Sequence, residues 1–198
     1  ALVVVLAACG SDDKSKESDK EVTKETQTAA GTENSAYPMT ISPTMASTES
    51  EEAGTINFDD VTLDAMPEKI VVFDYGFLDT LHTLGVEGIV GLAKDSNLPE
   101  HLSEYASDEY ASVGSLKEPL LEDIAELDPD VIFISGRQSP FYDQLSDIAP
   151  VVFVGTSQTD YWNTFMKSVE LAGKIFGKED QVKEELAKFD AAIEEVKT

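Results

Sequence analysis

The chain has 198 residues and a formal net charge of −25, because 39 aspartates and glutamates outnumber 14 lysines and arginines. So negative a field repels nucleic acid and anionic headgroups, which excludes both as general partners. The length fits one ordinary domain, or one domain and a fragment, and 41% hydrophobic residues suffice for a core.

The chain begins with an apolar run over residues 1–8 that stops at the only cysteine, Cys9. The run is too short for a membrane-spanning helix, which needs about twenty residues. We interpret it as the remnant of a secretory signal peptide. The sequence LAACG at 6–10 resembles a bacterial lipobox, and Cys9 has no disulfide partner within the chain. It is therefore predicted to carry a lipid that holds the protein at the extracellular face of the cell membrane. An ordinary signal peptide beside an unrelated cysteine is the alternative.

Residues 9–36 combine this cysteine with a stretch of Ser, Thr, Lys, Glu and Asp that is almost free of apolar side chains. Such a segment cannot offset the entropy lost on ordering, so it is predicted to be a disordered linker.

Short apolar runs after the linker predict the strands. Two β-like runs, YPMTIS at 37–42 and TINFDDVTL at 55–63, are expected to form a hairpin beside the main sheet. Four compact runs follow: KIVVFD at 69–74, GIVGLA at 88–93, VIFIS at 131–135 and VVFVG at 151–155. They are rich in Val, Ile and Phe and do not alternate with polar residues, as is typical of buried parallel strands.

Helical patterns separate these runs, at 77–84, 119–127, 138–148 and 161–176. Pro119 is expected in the first turn of the second helix. The fourth has one apolar face, predicted to be core, formed by Trp162, Phe165, Val169, Ala172 and Phe176. Alternation of strand and helix predicts the α/β class, with a mostly parallel sheet flanked by helices.

The last segment, from residue 177, predicts an amphipathic helix with one stripe of Val182, Leu186, Phe189, Ile193 and Val196. It lacks a Gly or Pro terminator at its end. Together with the missing start of the signal peptide, this indicates a chain truncated at both ends.

Ligands of open parallel sheets bind at the carboxyl ends of the strands. This rule selects loops 74–76, 93–95, 135–137 and 155–157. Tyr75 offers an aromatic face, Lys94 an ammonium group, and Arg137, the only arginine, a planar fork of donors for anionic oxygens. Gly76 and Gly136 belong to the same turns. Alternative roles are a core-edge phenol for Tyr75, a solvated surface amine for Lys94 and a surface ion pair for Arg137.

Motifs of enzymes on such sheets are absent from the sequence. It contains no Walker-A run, no Gly-x-Gly-x-x-Gly and no Gly-x-Ser-x-Gly. His82 and His101 are isolated, with no cysteine nearby, so no zinc or other metal site is predicted. We therefore expect no catalysis and no cofactor.

Three stretches resemble a known family: MPEKIVVFDYGFLDTLHTLGV, VGSLKEPLLEDIAELDPDVIFISGRQ and DQLSDIAPVVFVG. They are similar to the iron–siderophore substrate-binding lipoproteins of Gram-positive ABC importers, in the branch that binds catecholates of the petrobactin type. The resemblance covers roughly residues 60–198, and its most recognisable part is P-x-x-E-x-I-x-x-L-x-P-D at 119–130.

The resemblance implies the periplasmic-binding-protein fold, in which two α/β lobes joined by a long helix hold a ferric siderophore between them. Residues 37–178 would form the N-terminal lobe and residues 179–198 the start of the interlobe helix, with the C-terminal lobe absent. Arg137 matches a basic cleft residue, and Glu122 matches a glutamate that docks to the ABC permease. A monomer is expected, and the resemblance implies that the siderophore would supply every iron ligand.

Three alternatives stay open at this point. The same fold also serves receptors for haem, cobalamin or a metal ion. A flavodoxin-like cofactor-binding enzyme would share the sheet, and an adhesive surface lipoprotein could use an α/β lobe to bind another protein.

Overall fold

The computed structural model describes residues 36–51 and 53–197. The signal-peptide remnant, the predicted lipidation site Cys9 and the linker up to residue 35 lie outside the described residues. Within the described part of the chain, no helix is long and apolar enough to cross a membrane.

Four short strands form two antiparallel pairs at the beginning of the described chain. Strand β1 (Met39–Ile41) pairs with β4 (Val61–Leu63), and β2 (Ser47–Ser50) pairs with β3 (Gly54–Asn57). The predicted pairing of the two runs is confirmed by β1 and β4, but the polar stretch between them supplies an unpredicted strand, β2, which pairs with the beginning of the second run. The second run divides into two strands at Phe58, which is buried and stacks on Phe153 at a centroid distance of 4.2 Å.

The main sheet has five strands, and every neighbouring pair is parallel. They are β5 (Ile70–Val72), β6 (Ile89–Leu92), β7 (Ala111–Ser112), β8 (Val131–Ile134) and β9 (Val151–Phe153), in the order β7-β6-β5-β8-β9. The four predicted strands and the α/β class are confirmed. Strand β7 was not predicted, because two residues, Ala and Ser, give no apolar run.

The helices follow the strands along the chain. They are α1 (Tyr75–Thr83), α2 (Leu121–Leu127), α3 (Tyr142–Ser146), α4 (Tyr161–Phe176) and α5 (Glu179–Lys197), with 3₁₀ helices at Glu100–Ala106 and Ser139–Phe141. The predicted helix over 138–148 is thus partly 3₁₀, and Pro140 within it cannot donate a helical hydrogen bond.

Pro119 lies outside α2, contrary to the expectation that it occupies the first turn. It forms a bridge with Gly114, and the amide of Leu120 donates to the carbonyl of Val113 at 3.0 Å. These contacts hold residues 113–120 as a loop, so the helix begins at Leu121.

Helices cover both faces of the sheet. Ile70 and Val72 of β5 pack in one core with α1 and α4, whereas Val71 and Phe73 pack in a second core with Ile124 of α2 and Leu145 of α3. Every residue of β5, β8 and β9 is buried. This explains why these strands carry continuous apolar runs rather than alternation.

The apolar stripe of α5 is covered only near its beginning. Val182 is 3% exposed, whereas Phe189 is 46% and Val196 87% exposed. Trp162 was predicted to belong to the core but is 44% exposed, because it lies at the opposite end of α4 from the buried Phe176. Its ring contacts Phe189 at a centroid distance of 5.5 Å and Phe165 at 5.9 Å. The amphipathic helix itself is confirmed.

Asp130, the last residue of the family-like motif, fixes the start of the central strand. Its Oδ2 accepts hydrogen bonds from the backbone amides of Glu68 and Lys69, each at 2.8 Å. The Lys69 ammonium also pairs with Asp128 at 2.9 Å. The segment before β8 is thereby joined to the segment before β5.

Replacing Asp130 by Ala should lower the free energy of unfolding by about 1–2 kcal/mol, because two strand-leading amides lose a charged acceptor at a partly solvated site. Urea denaturation of the full-length protein measures this. The exposed Asp190→Ala in α5 is the control, and an equal effect of both changes would contradict the role of Asp130.

Candidate functional site

The carboxyl ends of the five parallel strands lie at one edge of the main sheet, which we call the carboxyl edge. The four predicted loops, 74–76, 93–95, 135–137 and 155–157, follow β5, β6, β8 and β9 and so meet there. Strand β7 adds a fifth loop, residues 113–120, that sequence reasoning did not include.

Tyr75 connects the first two loops of this edge. Its hydroxyl donates to the carbonyl of Ala93 at 2.5 Å and lies 3.4 Å from the carbonyl of Ser96. Burial raises the pKa of the Tyr75 phenol, and the negative charge of Asp95 adds to the rise while the Ser96 hydrogen bond opposes it. The phenol therefore stays neutral and holds the 93–96 loop against α1.

Gly76, in the first turn of α1, is exposed beside the side chain that caps this helix. The Asp74 carboxylate accepts from the amide of Phe77 at 2.8 Å, and a Cβ on Gly76 would lie 3.2 Å from that carboxylate. A side chain here would crowd the cap. The turn therefore presents backbone rather than side chain.

Lys94 is bound to the chain itself. Its ammonium donates to the carbonyls of Ser107 and Tyr110, at 2.8 and 3.0 Å. Both carbonyls belong to the segment between the first 3₁₀ helix and β7. Lys94 thus holds the chain that leads into β7, and its charge is partly used for this contact.

Arg137 is exposed in the loop after β8. Within the described part of the chain it forms no hydrogen bond and no ion pair. A Cβ on the neighbouring Gly136 would meet no atom within 4 Å, so the space beside the backbone of this loop is open. The alternative of a surface ion pair therefore finds no carboxylate partner among these residues.

Gln138, which the sequence did not single out, directly follows Arg137 in the chain and is 0% exposed. Its Oε1 accepts from the amide of Ser135 at 3.0 Å, and its Nε2 donates to the carbonyl of Leu116. The amide of Leu116 in turn donates to the Ser96 hydroxyl at 3.0 Å. Hydrogen bonds therefore join the loops that follow β8, β7 and β6.

Lys117 is a second exposed cation at this edge that sequence reasoning missed. It lies in a turn where the Ser115 hydroxyl accepts from the amides of Lys117 and Glu118, at 3.2 and 3.0 Å. Gly114 has φ of +97°, and a Cβ there would lie 2.3 Å from the carbonyl of Glu118, so the turn requires glycine. Had β7 been predicted, the loop that follows it would have been included among the strand-end loops, and Lys117 would have been identified as its cation.

A residue before the main sheet, Thr44, holds the loop after β9 by a hydrogen bond. The hydroxyl of Thr44, which is 4% exposed, donates to the carbonyl of Gly155 at 2.6 Å. Gly155 also lies close to the neighbouring loop, since a Cβ on it would be 3.1 Å from Cβ of Ser135. Residues 155–157 supply no cation to the edge.

Glu122 is exposed in the first turn of α2, directly after the 113–120 loop. Its carboxylate forms no hydrogen bond or ion pair with a described residue. Among residues 36–51 and 53–197, no group of three or more His, Cys, Asp and Glu side chains could hold a metal ion.

Residues 70–198 match the model of a family described as periplasmic binding protein. The petrobactin-binding protein YclQ of Bacillus subtilis is 50% identical over 131 residues, which are 66% of this chain and 41% of that protein. A putative ABC transporter substrate-binding lipoprotein of the same organism, YhfQ, is 35% identical over 135 residues, which are 66% of this chain and 41% of that protein.

Solved structures of binding proteins are also similar to this chain. The crystal structure of YclQ aligns with a TM-score of 0.67 and 44% identity, over 76% of this chain and 51% of that chain. The catecholate-siderophore binding protein VctP of Vibrio cholerae aligns with a TM-score of 0.61 and 34% identity, over 73% of this chain and 50% of that chain.

This chain spans about half the length of the relatives that it matches. The family and these relatives are binding proteins rather than enzymes, which confirms the expectation of no catalysis. The family resemblance found in the sequence is likewise confirmed. The chain belongs to the periplasmic binding protein family.

Proposed function

We propose that the full-length protein captures a ferric siderophore of the catecholate type and delivers it to an ABC permease. The observation that carries this proposal is the pair of exposed cations, Arg137 and Lys117, on two loops of the carboxyl edge that a hydrogen bond from Gln138 to Leu116 joins. Neither forms an ion pair within the described part of the chain, in a protein whose net charge is −25.

The charge distribution favours an anionic ligand at this place. Ferric catecholate chelates carry negative charge, so most of the acidic surface repels them and a local group of cations decides where they bind. The planar guanidinium of Arg137 can donate two hydrogen bonds to neighbouring chelate oxygens, and the Lys117 ammonium adds a compact charge. The iron keeps its siderophore ligands, and the protein recognises the outside of the complex.

In this proposal residues 37–178 form the N-terminal lobe, and α5 begins the helix that leads to a second lobe. The doubled length of the relatives supports this organisation. Cys9 carries the lipid that holds the receptor, as a monomer, at the extracellular face of the membrane. The word lipoprotein in the name of the relative YhfQ supports that anchor.

Arg137→Ala in the full-length protein should weaken binding of ferric petrobactin by roughly ten- to a hundredfold, since a charge-assisted hydrogen bond contributes about 1.5–3 kcal/mol. A fluorescence-quenching titration measures the dissociation constant. Lys167→Ala, which removes an exposed cation from α4, is the control. Equal affinity of the Arg137 variant and the unmodified protein would contradict the assignment.

Glu122→Ala should abolish delivery without affecting capture. We expect at least a tenfold loss of iron–siderophore uptake by cells, because a permease cation would lose its charged partner, while the dissociation constant of the ferric siderophore stays unchanged. The exposed Glu170→Ala in α4 is the matched control. Uptake that persists at the normal rate would exclude Glu122 as a required permease contact.

A further inference from the structure

The buried amide of Gln138 lies between the two loops that carry the exposed cations. We propose that Gln138 is a positioning residue: it sets the separation of Arg137 and Lys117 and thereby the affinity for the anionic iron chelate. This inference rests on the proposed function and assigns a role to a side chain that the ligand does not touch.

Gln138 first fixes the loop that carries Arg137. The backbone amide of Gln138 donates to the carbonyl of Ser135 at 3.1 Å, and its side-chain Oε1 accepts from the amide of Ser135 at 3.0 Å. Gly136 and Arg137 are enclosed between these two residues. The backbone that carries the guanidinium is therefore closed into a turn by both a main-chain and a side-chain hydrogen bond.

The other end of the same amide fixes the loop that carries Lys117. The Nε2 group of Gln138 donates to the carbonyl of Leu116, the residue directly before Lys117. Within the described residues this is the only hydrogen bond between the 135–139 turn and the 113–118 loop. Loss of the amide would leave the two cations on loops without a polar connection.

The presence of a polar side chain at the buried position 138 supports a positioning role. Burying an amide costs free energy unless both of its ends are hydrogen-bonded, and an apolar side chain of equal length would fill the space without that cost. A fully satisfied buried amide specifies one arrangement of its partners. Two cations that are already correctly separated lose less conformational entropy when one ligand binds both.

The test is a double-mutant cycle on the full-length protein, titrated with ferric petrobactin. Gln138→Met removes the side-chain hydrogen bonds to Ser135 and Leu116 at similar side-chain length and should weaken binding about tenfold. In the Arg137→Ala background the same change should cost less than about threefold, because no pair of cations remains to be spaced. Ser168→Ala, a buried hydroxyl in α4 that is 5% exposed, is the control and should leave affinity unchanged.

The outcomes separate this inference from the proposed function. If Arg137→Ala leaves affinity unchanged, the proposed site itself fails. If Arg137→Ala weakens binding but Gln138→Met has no effect, or has the same effect in both backgrounds, the positioning role is overturned.

A milder variant keeps the test decisive if Gln138→Met does not fold. Ser96→Ala removes the acceptor for the amide of Leu116 and loosens the same loop from its other side. It should weaken binding about threefold, and the effect should disappear in the Lys117→Ala background. An effect that persists in that background would contradict the proposal.

Discussion

Five parallel strands leave no face of the main sheet free for a ligand, because α1 and α4 cover one face and α2 and α3 cover the other. Ligands of open parallel sheets bind at the carboxyl ends of the strands, and the parallel direction brings five loops to that edge. Apart from Tyr75 and Gly76, which begin α1, the residues of these loops lie outside the helices and strands, so the loops must be held in place by hydrogen bonds of their own. The architecture therefore makes the contacts between loops the decisive feature of the candidate site.

Those contacts form a nearly continuous path across the edge. The Tyr75 hydroxyl holds the 93–96 loop, the Ser96 hydroxyl holds Leu116, and Gln138 joins Leu116 to Ser135. The hydroxyl of Thr44 fixes the loop after β9 from the N-terminal segment. Many polar side chains at this edge are thus occupied with one another, whereas the cations Arg137 and Lys117 are exposed to solvent.

Much of this could be predicted from the sequence. Continuous apolar runs located four of the five main strands, and the position after one run identified Arg137. The rest depends on partners distant in sequence. Strand β7 has no apolar signal, so its loop and Lys117 were missed, and Gln138 resembled the first residue of a helix until its contact with Leu116, 22 residues away, was visible. Lys94 was predicted to contact the ligand because it is a cation at the end of a strand. Its ammonium instead donates hydrogen bonds to the backbone carbonyls of Ser107 and Tyr110, which the sequence does not reveal.

The central claim is that Arg137 and Lys117 together contact one anionic ferric chelate. A crystal structure of the full-length protein with ferric petrobactin bound tests it most directly. The account predicts chelate oxygens within about 3.2 Å of the Arg137 guanidinium and of the Lys117 ammonium, with Gln138 still bonded to Leu116. A chelate bound away from both cations would contradict it.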